Sequence, residues 1–239
     1  LPQFYEGSDR KDVAETCASI GLAMLTRRVH ALTGESRCFD VIETALYNHL
    51  LGGLSLDHLG VYYYNPLRLT GETAGKTDLD RPLHERTFLP ELHKTSCCIT
   101  NAWRFFATLP EYVFAVDGGG LYVNLYTTAS ASFTAPGGAE VWLDMETAYP
   151  HEGRVTLRVD PPWPVAFTLR LRIPHWCREA TLTLPDGARV RGEAGRYLEV
   201  ERSWHMGERL VLDLPMPVRV LTGDPRIQAT AGCGVLARG

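Results

Sequence analysis

The spacing of apolar residues changes once along the chain, near Pro110. Before it, Val13, Cys17, Ile20, Met24, Leu25, Val29 and Leu32 recur every three or four residues and stop at Gly34, which predicts an amphipathic helix of about five turns from Asp12. Val41, Ile42, Ala45, Leu46, His49 and Leu50 predict a second helix from Cys38 to Leu51, stopped by Gly52-Gly53. Ser96 is the N-cap of a third, which reaches Leu109 with Ile99, Ala102, Trp103, Phe105 and Phe106 on a broad apolar surface. Between the second and third helices, Val61 to Leu67 reads as an extended aromatic segment. Residues 71–90 read as a polar connection of a length that often carries function.

After Pro110 the pattern alternates. Short runs at Gly120–Tyr126, Glu140–Met145, Arg154–Val159, Phe167–Ile173, Ala180–Leu184, Tyr197–Val200 and Leu210–Leu214 read as strands. Pro136-Gly137-Gly138 and Pro185-Asp186-Gly187 read as hairpin turns. The expected architecture is therefore α+β and multidomain, with helices over residues 1–110 and an antiparallel β-sandwich over 111–239.

Composition narrows the function. With 45% hydrophobic and 22% charged residues, the 239-residue chain can bury a core, and its net charge of −4 lacks the basic runs that track nucleic acid. No apolar run approaches the ~20 residues of a membrane span. The chain opens Leu1-Pro2-Gln3, without an initiator Met or signal-like region, and reads as cut from something longer. Six cysteines are too few for a disulfide scaffold, so reduced thiols or metal ligation, and a cytoplasmic setting, are expected.

The chemistry gathers at two short stretches, Glu15-Thr16-Cys17 and Thr95-Ser96-Cys97-Cys98. Three thiolates and one carboxylate make a four-ligand set suited to zinc, and thiols at a helix N-terminus ionise more readily. Each residue also has an ordinary explanation. Glu15 would close a capping box with Asp12, Cys17 would be a small buried hydrophobe, and Cys97-Cys98 would be one buried thiol and one exposed. Residues two apart on an ideal helix point about 200° apart, so Glu15 and Cys17 share an ion only if the chain there is not yet helical. Glu43 reads as a helix-edge carboxylate and Tyr62-Tyr63-Tyr64 as a half-buried strand or a sugar-stacking platform. His49 and His93 read as hydrogen-bonded core histidines or site residues, and Trp163, Trp176 and Trp204 as core.

Ala14-Glu15-Thr16-Cys17-Ala18-Ser19-Ile20-Gly21, Tyr63-Tyr64-Asn65-Pro66-Leu67 and Ser96-Cys97-Cys98 with Asn101 resemble the β-L-arabinofuranosidases of glycoside hydrolase family 127. Leu121–Tyr126 and Leu171–Cys177 resemble that family's β-sandwich portion. The resemblance implies the C-terminal part of an (α/α)6 barrel followed by the sandwich, and a retaining mechanism with a zinc-bound cysteine nucleophile. By it, Glu15, Cys17, Cys97 and Cys98 hold zinc, Cys97 attacks, and Glu43 and Tyr63 bind substrate. The substrate is an L-arabinofuranosyl-containing oligosaccharide or glycoconjugate, and a homodimer is a candidate assembly. The family's acid/base glutamate would fall ahead of Leu1, which Glu6 is too close to replace, so the expectation is a fragment inactive alone. The alternative is a zinc-stabilised carbohydrate-binding or scaffolding module. A thiol redox protein lacks the Cys-x-x-Cys context it needs.

Overall fold

The computed structural model describes residues 13–54, 64–66, 96–227 and 230–239. Asp12, Tyr63, His93 and Glu6 lie outside these described residues, as does the whole 71–90 connection. Two compact units emerge. One takes the chain up to Arg28, Val41–Thr108 and Val220–Val235; the other takes Val29–Asp40, Leu109–Arg219 and Leu236–Gly239.

In the first unit, strand β1 (Val13–Glu15) pairs antiparallel with β2 (Tyr64–Pro66), setting Glu15 opposite Tyr64. Helix α1 (Thr16–Thr33) begins directly after it. The predicted helix start at Asp12 is thus corrected to Thr16, and Glu15 is not an N3 capping residue. The reason is a long-range one: residues 13–15 satisfy their backbone groups against a strand about 50 residues away in sequence, which local propensity does not reveal.

The buried face of α1 also departs from the apolar pattern. Thr16, Ile20, Ala23 and His30 are buried, whereas Leu22, Leu25, Val29 and Leu32 are 47%, 59%, 39% and 88% exposed. Gly34, at φ +67°, turns the chain out of the helix, its N–H bonded to the His30 carbonyl at 2.7 Å.

Helix α2 (Arg37–Thr44) continues as a π-helical turn (Ala45–Leu50), where the Leu51 N–H reaches back five residues to the Leu46 carbonyl at 3.0 Å. Helix α3 (Ser96–Thr108) buries Cys98, Ala102 and Phe105 along one stripe. That stripe is narrower than the broad surface expected, and Trp103 is 63% exposed.

The second unit is a two-sheet sandwich. Its strands are β3 (Phe114–Asp117), β4 (Gly120–Val123), β5 (Ala129–Thr134), β6 (Glu140–Thr147), β7 (Arg154–Asp160), β8 (Val165–Arg172), β9 (Thr181–Thr183), β10 (Arg189–Arg191), β11 (Tyr197–Trp204) and β12 (Glu208–Asp213). One sheet runs β10-β9-β12-β7-β6-β5 and the other β11-β8-β4-β3. A separate ribbon pairs β13 (Val218–Thr222) with β14 (Gly234–Arg238).

Strict alternation buries one face of each central strand: Val141, Leu143 and Met145 on β6, and Phe167, Leu169 and Leu171 on β8. Phe133 of one sheet meets Phe167 of the other edge to face at 5.2 Å, and Trp204 stacks on Phe167 while donating its indole N–H to the Phe167 carbonyl at 3.0 Å. Trp176 and Trp204 are core as expected. Trp163 is not: it is 58% exposed, because Pro161-Pro162-Trp163-Pro164 forms a loop rather than a strand.

The sheets are not wholly antiparallel. β4 runs parallel to β8, pairing Gly120 with Thr168, and a Cβ built on Gly120 would sit 2.0 Å from the Thr168 carbonyl oxygen. That contact is with backbone, which cannot swing aside. Gly120→Ala is expected to cost about 1–3 kcal/mol, read as a lowered urea midpoint; an unchanged midpoint would show that the two strands separate freely.

The end of α1, the start of α2 and the turn joining them pack within this second unit through polar groups. Arg172, fully buried on β8, donates from Nη1 to Asp40 Oδ1 at 2.8 Å and from Nε to the Asn124 carbonyl at 2.6 Å. Asp40 Oδ1 also accepts the His175 backbone N–H at 3.1 Å. His30 Nε2 lies 2.9 Å from the Tyr197 hydroxyl, which donates to Asn124 Oδ1 at 2.5 Å, and Ser36 Oγ donates to the Gly195 carbonyl. Burial lowers the His30 pKa and raises that of Tyr197, so both favour the neutral form.

Candidate metal centre

The break between β1 and α1 places the ligands. Glu15 is the last extended residue and Cys17 the second helical one, so the two side chains are released from the 200° separation that a continuous helix would impose. From α3 come Cys97 and Cys98 in the first turn, where free backbone N–H groups and the helix dipole favour negative charge. The ligand atoms of Glu15, Cys17, Cys97 and Cys98 all lie within 4.8 Å of one another. Cys97 Sγ stands 4.0 Å from Cys98 Sγ, which stands 4.0 Å from Glu15 Oε1.

These separations fit one central ion. Thiolates at ~2.3 Å from a tetrahedral zinc lie roughly 3.8 Å apart, close to what is found here. The donor set of three sulfurs and one carboxylate oxygen also suits a borderline-soft divalent cation. Burial pushes the Cys98 thiol up, and does the same to Cys17 against the opposing pull of hydrogen bonds from Asn101 and Cys98. Cys97 is exposed, Cys98 is buried, and Glu15 and Cys17 are half-buried.

The other expected site residues are distributed as follows. Glu43 is buried on α2, one residue before Thr44 and the π-helical turn. His49, inside that turn, pairs through Nδ1 with Ser19 Oγ of α1. Tyr63 and His93 fall outside the described residues. The reading of spacing and type passed over two groups. One is Asn101, named in the motif but given no role, whose Nδ2 lies 2.9 Å from Cys17 Sγ; its position four residues after Cys97 on a helix was the available signal. The other is Arg172 with Asp40, for which no local signal exists, since strand and helix are 132 residues apart. Among the described residues, no helix is long and apolar enough to cross a membrane.

Known proteins resemble the chain in sequence and in fold. Residues 3–111 match the family described as "Beta-L-arabinofuranosidase, GH127 catalytic domain", and residues 120–216 match "Beta-L-arabinofuranosidase, GH127 middle domain". A non-reducing end β-L-arabinofuranosidase of Bifidobacterium longum subsp. longum is 26% identical over 232 residues, covering 94% of this chain and 34% of that protein. The crystal structure of a GH127 β-L-arabinofuranosidase from Geobacillus stearothermophilus T6 superposes with a TM-score of 0.86 at 33% identity, covering 99% of this chain and 37% of that one. A further solved GH127 β-arabinofuranosidase gives 0.83 at 29%, covering 100% and 38%. The chain thus spans about a third of the length of these relatives. With two successive domain matches in order, and the same fold over nearly all of its length, the chain belongs to the β-L-arabinofuranosidase family GH127.

Proposed function

We propose that the protein is a retaining glycoside hydrolase acting on L-arabinofuranosyl-containing oligosaccharides or glycoconjugates, with zinc held by Glu15, Cys17, Cys97 and Cys98 and with Cys97 as nucleophile. The observation that carries this reading is the difference in exposure within the cluster. Cys98 is 1% exposed and Cys17 half-buried, whereas Cys97 is open, so Cys97 is the sulfur that an incoming sugar meets.

Bound zinc would keep these thiols ionised at neutral pH. Cys97 Sγ attacks the anomeric carbon while the aglycone oxygen leaves with a proton from a general acid. Water, giving its proton to that same group, then attacks the anomeric carbon and releases the sulfur. Two inversions give net retention. In this reading Glu43 and Tyr63 hold the sugar. Residues 1–110 are then part of an (α/α)6 barrel and 111–239 the sandwich. The exposed stripe Leu22, Leu25, Val29 and Leu32 supports this, being the kind of face that further barrel helices would cover.

Elemental analysis tests the metal directly. Stoichiometric zinc is expected in the purified protein and its loss in Cys98→Ala, together with a lower Tm. A metal-free wild type, or zinc retained in full by Cys98→Ala, would remove the basis of the reading.

A further inference from the structure

Asn101 supplies no ligand atom, yet its Nδ2 stands 2.9 Å from Cys17 Sγ, hydrogen-bonding distance for a sulfur acceptor. Helical spacing explains how it gets there: Asn101 follows Cys97 by four residues on α3 and so shares its face. Three residues further on, Arg104 donates from Nη2 to Asn101 Oδ1. The second contact settles the direction of the first. A guanidinium has donors only, so it takes the amide oxygen, and the amide NH2 must then face the sulfur.

The cluster needs such a donor. Three thiolates and a carboxylate around a divalent cation leave a net charge of about −2 in a partly buried site, which N–H groups directed at sulfur relieve. We infer that Asn101, oriented by Arg104, is a positioning residue that holds the Cys17 thiolate by an N–H···S bond and so tightens metal binding. This rests on the metal reading above and extends it to the shell around the ligands.

The decisive variant is Asn101→Asp, which keeps the shape of the side chain but turns a donor toward sulfur into a negatively charged acceptor. In competition with a chromophoric chelator, zinc affinity is expected to fall by roughly 10- to 100-fold. The thiolate-to-metal charge-transfer band of the cobalt-substituted protein should shift with it. Arg104→Met, which frees the amide to turn over, should weaken binding in the same direction but less, and Arg104→Lys should restore part of the loss. Far-ultraviolet circular dichroism verifies that each variant folds. Zinc bound by Asn101→Asp within about twofold of wild type, with an unshifted cobalt band, overturns the inference and leaves the metal site standing. A wild type that binds neither ion overturns both.

Discussion

Arg172→Met is expected to destabilise the sandwich unit by about 3–5 kcal/mol, a large share of the ~5–15 kcal/mol that holds a typical domain together. The side chain of Arg172 is fully buried and that of Asp40 is 11% exposed. Removing the cation leaves the Asp40 carboxylate in a poorly solvated place, with the His175 backbone N–H as a remaining donor, and deprives the Asn124 carbonyl of its bond from Nε. Methionine fills much of the volume, so the loss reports charge and hydrogen bonding rather than a cavity. The Tm should fall by roughly 6–20 °C. The double variant Asp40→Leu/Arg172→Met should regain most of it, because replacing both partners of a buried pair removes the uncompensated charge. A single variant within ~1 kcal/mol of wild type would mean that water reaches Asp40 and that the pair contributes little.

The same pair marks the limit of what could be foreseen. Arg172 sits in an alternating strand pattern, and nothing local distinguishes a buried arginine there from a solvated one; its partner comes from helix α2, 132 residues earlier. The ligand residues were legible for the opposite reason. Their chemical types are distinctive, and the requirement that Glu15 lie outside the helix could be stated in advance, although only the β1–β2 pairing shows how it is met. Strand runs from Glu140 to Leu214 were legible because alternation and burial coincide there. β5 was missed, since in Ala-Ser-Ala-Ser-Phe-Thr only Phe133 is a large apolar residue, and its neighbour β6 supplies the ladder. On α1 the apolar period was read correctly as an amphipathic helix, but which of its residues are buried was not legible. Periodicity states which residues would benefit from cover, and among the described residues Leu25 and Leu32 lack it. The π-helical turn is likewise invisible in sequence, since its i to i+5 bonding depends on packing rather than residue type.

Cys97→Ser carries the largest expected effect on activity, a loss of roughly 10⁴-fold or more in turnover. Serine keeps the backbone and most of the shape, but its hydroxyl stays protonated where a thiol would ionise, and it is a harder, weaker donor to a borderline-soft cation. Cys98→Ser should fail differently. Its sulfur is buried, so metal affinity and Tm should fall first, with activity following them. Because the chain spans about a third of its relatives' length, turnover is measured in the protein at full length. Covalent labelling separates nucleophile from ligand. An electrophilic arabinofuranosyl reagent should mark the wild-type peptide that contains Cys97 and Cys98, with fragmentation placing the adduct on Cys97, while Cys98→Asp, which keeps a ligand oxygen at the buried position, retains some label. Label on a carboxylate with Cys97 unmodified, or Cys97→Ser hydrolysing substrate at near the wild-type rate, would remove Cys97 from the chemistry and leave it as a metal ligand alone.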